Sequence, residues 1–341
     1  MTDIKPKLTL ETIELASKNI AKVIVHTNLE FSDRLSNKFN AKIYLKREDL
    51  QITRSYKIRG AYNFICSLTK DKTAKGIVTA SAGNHAQGVA FSANKLKIMA
   101  TIFMPVTTQE QKINRVKYLG GEFVDIKLVG ENFDDCLTIA ILSSNTNKAI
   151  FIPPFDDELI IAGQGTVGKE IFEDLHRQID FIICPVGGGG LISGVSTYFK
   201  QKGSVAEIIG VEPVGADAMY QSLKQSRVVT LTSIDTFVDG AAVKTVGIKT
   251  LDIVKHLVKR ILLVSVGKIC TTMIELYQED GIIAEPAGAL SIASLDSIRD
   301  EIKDKVVVCI VSGGNNDLTR YPEIIKKAQL YKDSQLSSKN S

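Results

Sequence analysis

FIICPVGGGGLISGVSTYFK, residues 181–200, holds a continuous apolar run of strand length, four consecutive glycines and a second segment of helix length. Gly187, Gly188, Gly189 and Gly190 therefore occupy a strand-to-helix turn, where the lack of a Cβ permits close approach. Two readings fit this turn taken alone. Its free backbone amides converge on a phosphate, or the glycines simply let a helix pack tightly on a sheet. No Gly-Lys-Ser/Thr follows, and GxGxxG with its later acidic residue is absent, so neither nucleotide fingerprint applies.

Working outward, the same kind of apolar run recurs: IYLKRE, GIVTAS, IMATIFM and GEFVDI before it, then EIIGVEP, RILLVSV and VVVCIVS after it. Each is separated from the next by room for a helix, which predicts an α/β fold with mainly parallel sheets. The stretch from about 75 to 150 holds three or four strand–helix units, the right size for a smaller lobe. The expected division is a large domain of residues 1–54 and 152–320 and a small domain of 55–151. The Pro-Pro-Phe at 153–155 serves as a crossing between them. Residues 321–341 form a C-terminal helix and tail, whose last ten polar, serine-rich residues have little to bury. No internal repeat is present.

Composition narrows the class of function. Basic and acidic residues number 42 and 38 and are spread along the chain, so no basic face suggests nucleic acid or an anionic membrane. A small molecule is the expected partner. The five cysteines are odd in number, scattered and without a CxxC pair, which fits the reducing cytoplasm. Cys184 and Cys309 fall inside apolar runs and are expected as buried thiols. No signal-like or membrane-spanning apolar segment occurs, so neither export nor membrane insertion is expected.

Several side chains carry possible chemistry. In SYKIRGAYNF, Ser55 reads as an N-cap and Lys57 falls in the first helical turn. A lysine at the positive end of a helix, shielded by Tyr56 and Ile58, has a lowered pKa and is nucleophilic. The alternative is an ordinary solvated lysine. TASAGNHAQGVAF places a small-residue turn between strand and helix, whose amides suit a carboxylate; alternatively Asn84 merely caps the helix and His85 lies on its surface. Ser312 stands at the C-terminal end of the VVVCIVS strand, the edge where open α/β sheets bind ligands, or in a plain strand-ending turn. Glu285 precedes Pro286, which by itself is an ordinary helix start.

Taken together and in order, SYKIRGA, SAGNHAQG, PVGGGG, EPAGAL and SGGNND resemble the threonine dehydratase and serine racemase family of fold-type-II pyridoxal-phosphate enzymes, over about residues 10–320. KREDLQ and IAGQGT are similar to the biosynthetic threonine dehydratases in particular. The resemblance implies a tryptophan synthase β-like fold: two open, twisted, mainly parallel sheets flanked by helices, with pyridoxal 5'-phosphate in the cleft between lobes. It implies that Lys57 holds the cofactor aldehyde, that Tyr56 packs beside the ring and that Asn84 bonds the ring hydroxyl. It gives the phosphate to the backbone of Gly187, Gly188, Gly189, Gly190 and Leu191, the pyridine nitrogen to Ser312, and a cofactor-binding place to Glu285. Ser81, Ala82, Gly83, Asn84 and His85 would hold the substrate carboxylate.

The implied activity is L-threonine ammonia-lyase, a β-elimination of water giving 2-oxobutanoate and ammonia on the way to isoleucine, with L-serine as a further substrate. A cytoplasmic homodimer or homotetramer is implied as well. Alternatives are a serine or hydroxyaspartate dehydratase or racemase, and a catalytically silent ligand-binding regulator. Three departures bear on these. Ala82 stands where serine racemases carry a serine, which argues against racemisation. Ala218 replaces the last ligand of the racemase metal site, so no metal is expected. No C-terminal regulatory domain is expected after the SGGNND strand.

Overall fold

The structure is a computed structural model that describes residues 8–339, with residues 1–7 and 340–341 outside the description. In chain order the strands are β1 Leu29–Phe31, β2 Lys42–Arg47, β3 Ile77–Ala80, β4 Ala100–Met104, β5 Val124–Leu128, β6 Ile150–Phe151, β7 Phe181–Pro185, β8 Glu207–Pro213, β9 Arg260–Val264 and β10 Val306–Val311. They form a six-stranded sheet, β1-β2-β10-β7-β8-β9, and a four-stranded one, β5-β4-β3-β6. All pairs are parallel except β1 with β2. The eight expected runs are all strands, within three residues at either end. The expected α/β fold with two mainly parallel sheets is therefore the observed one.

Strands of a parallel sheet covered on both faces are apolar throughout, and alternate side chains serve opposite cores. Along β10, Val307, Cys309 and Val311 pack toward the helices Val266–Asp280 and Pro286–Ala293. Val308 and Ile310 face the helices Glu158–Asp174 and Gly190–Gln201 instead. In the smaller sheet Ile77, Ile102 and Met104 join the helices Lys57–Cys66 and Asn84–Leu96, while Val78, Ala80 and Phe103 meet the helix Phe133–Asn147. Cys184 and Cys309 are fully buried as expected, and burial pushes both thiols up.

Two strands were not foreseen. β1 is three residues long and borders the large sheet through Leu29↔Lys46; β6 is two residues long and joins through Ile77↔Ile150. The polar C-terminal stretch is also more regular than expected, since Tyr321–Lys339 is one helix. Ile324 and Ala328 are buried in the core beside Cys270 and Met273, and this anchored first half lets the polar half continue as helix. Among the described residues no helix is long and apolar enough to cross a membrane.

Candidate active site

Residues following the C-terminal ends of β3, β4, β6, β7 and β10 line a cavity of about 620 Å³. This is the edge at which α/β sheets collect ligands. Tyr56, Lys57, Ser81, Ala82, Gly83, Asn84, His85, Gly187, Gly188, Gly189, Gly190, Leu191 and Glu285 all lie on its wall. A shallower hollow of about 360 Å³ beside His26 and Asp174 holds no such group.

Lys57 is the first residue of the helix Lys57–Cys66, as the sequence suggested, but Ser55 is not its cap. Ser55 is bridged to Gly313, and Tyr56, whose N–H donates to the Ser312 carbonyl, takes the capping position without a side-chain bond. This long-range pairing within the chain therefore overrides the local capping preference. Burial pushes the Lys57 amine down to about 8, partly opposed by the charge of Glu285. Its Nζ donates to the Pro154 carbonyl at 3.0 Å and stands 5.5 Å from the centre of the Tyr56 ring. Ile58 is itself buried, in a cluster with Ile20, Ile24 and Tyr62.

The glycine turn serves both of the purposes weighed for it. A Cβ at Gly188 would lie 2.2 Å from the Phe155 ring, so packing requires the glycine. Gly189 has φ +91°, a left-handed conformation that L side chains rarely adopt. The N–H groups of Gly188, Gly189 and Gly190 have no acceptor among the described residues. They stand at the start of the helix Gly190–Gln201, where open amides and the helix dipole favour an anion.

On the opposite wall Glu285 is 4% exposed and precedes Pro286 at the start of its helix. The helix-start reading is thus correct but incomplete. Its carboxylate accepts from Asn84 Nδ2 at 2.6 Å and from the Asn315 N–H at 3.2 Å. Burial, aided by Asp239, raises it to about 7 against the lowering effect of those bonds. Asn315 Nδ2 in turn donates to Asn84 Oδ1 at 2.7 Å and to the Thr53 carbonyl at 2.8 Å. Asn315 was not singled out as a site residue, although SGGNND contains it.

His85 is buried rather than on the helix surface, at 3% exposure. Its Nε2 lies 3.2 Å from the Ile152 carbonyl, which fixes the proton there and leaves Nδ1 as a buried acceptor without a partner. Burial, helped by Lys57, pushes its pKa down to about 3 and keeps the ring neutral. Ser312 is the one expected residue that does not reach the cavity wall. It is 3% exposed, and its hydroxyl donates to the Ala287 carbonyl at 3.2 Å. Away from the cavity wall, Glu212 accepts from the N–H groups of Met219 and Tyr220 and caps the helix Ala218–Gln225; burial raises it to about 8.

Behind Lys57 the same helix is held by a fully buried arginine. Arg59 forks to Glu48 at 2.8 Å through Nε and Nη2 and to Glu170 at 2.6 and 2.8 Å, and Lys46 also meets Glu170 at 2.7 Å. Lys46 also lies 3.5 Å from Asp174, so two buried cations are shared among Glu48, Glu170 and the partly exposed Asp174. The lone arginine of SYKIRGA gave no sequence signal for this network, in which Arg59 and Glu170 lie 111 residues apart.

The assembled groups are a nucleophilic amine, an anion-binding turn and a loop of small residues facing one another. Pyridoxal phosphate fits them: its aldehyde would meet Lys57, and its phosphate would meet amides where a side chain at 188 cannot fit. Comparison with known proteins agrees. A biosynthetic L-threonine dehydratase of Halalkalibacterium halodurans is 50% identical over 96% of this chain and 79% of its own length. That of Bacillus subtilis is 49% identical over 94% and 76%. Among solved structures, the processed threonine deaminase isoform 2 of Solanum lycopersicum superposes with a TM-score of 0.89 at 39% identity, covering 95% of this chain and 96% of that one. Maize serine racemase gives 0.87 at 31%, covering 95% and 99%. With residues 20–313 also matching the pyridoxal-phosphate dependent enzyme family, the chain belongs to that family of enzymes.

Proposed function

We propose that this chain is an L-threonine dehydratase, removing water and then ammonia to leave 2-oxobutanoate, with L-serine as a second substrate giving pyruvate. The observation that carries the reading is Lys57. It is a lysine with pKa about 8 on a cavity wall that also presents the glycine turn, in a chain about half identical to dehydratases over nearly all its length.

Bound pyridoxal phosphate supplies an electron-withdrawing ring that accepts the charge left when a proton leaves the substrate Cα. The residues have these proposed roles. Lys57 would hold the cofactor aldehyde and would take the Cα proton on Nζ; a pKa near 8 leaves a usable fraction of neutral amine at neutral pH. Tyr56 lines the ring, Asn84 bonds its hydroxyl, and Glu285 fixes Asn84. The amides of Gly187, Gly188, Gly189, Gly190 and Leu191 take the phosphate. Ser312 serves the ring nitrogen, for which its hydroxyl must turn from Ala287. Residues 81–85 hold the substrate carboxylate, and Ala82 offers no hydroxyl to return a proton from the other side.

Residues 1–54 and 152–320 are assigned as the cofactor domain and 55–151 as the smaller one. The five unpaired cysteines favour a cytoplasmic setting, and a homodimer or homotetramer is the proposed assembly. The test is 2-oxo acid release from L-threonine and L-serine by the cofactor-loaded protein, with Lys57→Ala as control. Lys57-dependent 2-oxobutanoate at higher kcat/KM than pyruvate is expected. No product from either substrate would sink the assignment.

A further inference from the structure

The cavity wall carries five cationic side chains, Arg54, Lys57, Lys112, Arg115 and Lys244, against three carboxyl groups, Asp134, Asp239 and Glu285. The pairing among them is uneven. Lys112 meets Asp239 at 2.6 Å, and Lys244 meets Asp134 at 2.5 Å. Glu285 is committed to Asn84 and Asn315. Arg54 and Arg115 are left over: neither has a carboxylate partner among the described residues.

Arg115 is half-buried in the helix Glu110–Gly120. Its Nε is buried without a hydrogen-bond partner, and its Nη2 reaches only the Ile52 carbonyl at 3.4 Å. Arg54 is exposed, with its backbone held by the Gly314 N–H. The two guanidinium groups are near enough that, after burial, the charge of Arg54 is the next cause lowering the pKa of Arg115. Two like charges without carboxylate partners on one wall are unfavourable alone, and a planar anion answers both.

We propose that Arg54 and Arg115 form a carboxylate subsite at the cavity mouth that takes the released 2-oxo acid. The subsite is distinct from the glycine turn and from residues 81–85, the places assigned above to cofactor phosphate and substrate carboxylate. A zwitterionic amino acid enters with no net charge and leaves as a monoanion, so an unpaired cationic mouth discriminates product from substrate. The inference rests on the dehydratase reading only for the identity of that anion.

The experiment is calorimetric titration of the cofactor-loaded protein with 2-oxobutanoate and, separately, with succinate, which has two carboxylates and no amine. Wild type is compared with Arg54→Gln and with the Arg54→Gln/Arg115→Gln double variant. Expected is 2-oxobutanoate binding that weakens several-fold in the single variant and about tenfold or more in the double, as charge-assisted bonds are lost, and that weakens with added salt. Unchanged 2-oxobutanoate affinity in both variants overturns the subsite. Arginine-dependent binding of succinate alone overturns the assignment to the product. Arg54→Gln alters an exposed side chain, so its folding is secure even where the double variant is perturbed. Binding needs no turnover; a protein that binds 2-oxobutanoate through these arginines but converts neither hydroxy amino acid refutes the dehydratase reading instead.

Discussion

Replacing Glu285 by glutamine is expected to stabilise the cofactor-free protein, by an amount that grows as pH rises from about 4.5 to 7 and is constant above that. The carboxyl is buried and titrates near 7 in the folded chain, against about 4.5 when unfolded. Between those values the folded state binds the extra proton, so stability falls as pH rises. The full contribution is present below about pH 4.5 and is gone above about pH 7. A shift of roughly 2.5 units at about 1.4 kcal/mol each makes this about 3 kcal/mol. Glutamine stays neutral throughout. Like the protonated acid it has one acceptor oxygen for two donors, Asn84 Nδ2 and the Asn315 N–H, so the two proteins should match at low pH. At about 2 cal/mol/K of unfolding entropy per residue, the gain corresponds to a Tm roughly 4 °C higher in the variant. Thermal melting by circular dichroism at pH 5 and pH 8.5 reads both. A variant less stable than wild type at pH 8.5, or a Tm difference that does not change with pH, refutes the reasoning.

Three further outcomes are expected. Because the Lys57 amine is held near 8, the rate at which cofactor-free protein takes up pyridoxal phosphate should rise through about pH 8 rather than 10.5, and Lys57→Ala should lose the visible absorbance of bound cofactor altogether. Gly188→Ala drives a methyl into the Phe155 ring; about 1 to 3 kcal/mol of destabilisation and weaker cofactor retention on dialysis should follow. Arg59→Met leaves Glu48 and Glu170 buried beside a single remaining lysine, and a loss of about 3 to 5 kcal/mol should appear in urea unfolding.

What could be read from the sequence was what depends on neighbours along the chain. The eight long strands were legible because burial on both faces forces continuous apolar runs, as in VVVCIV at β10. β1 and β6 were not, since three and two residues carry no period, and their partners alone make them strands. Lys57 was found at the right place in its helix, but the reason for its low pKa shifted. The dipole argument was local, whereas burial by distant segments is the larger cause. The Ser55 cap failed for the same reason, because Gly313 arrives from 258 residues away. The Asn84–Glu285 bond spans 201 residues, and no spacing rule reaches that far. Ser312 was read correctly as the end of a buried strand, yet which way its hydroxyl turns is decided by Ala287.

The central position of β10 also sets a timetable for biosynthesis. It is hydrogen-bonded to β2 on one side and β7 on the other, so those strands emerge from the ribosome with a gap between them that only residues 306–311 can fill. Until then each presents an open apolar edge, the form most prone to pairing with another nascent chain. The same late segment supplies Gly313, Asn315 and the Ser312 carbonyl, which seat Ser55, Asn84 and Tyr56. A ribosome stalled before Val306 would therefore hold a chain that has made its lysine and its glycine turn but has nothing to lock the catalytic wall in place. Such a product should depend on chaperones and be cleared by proteases.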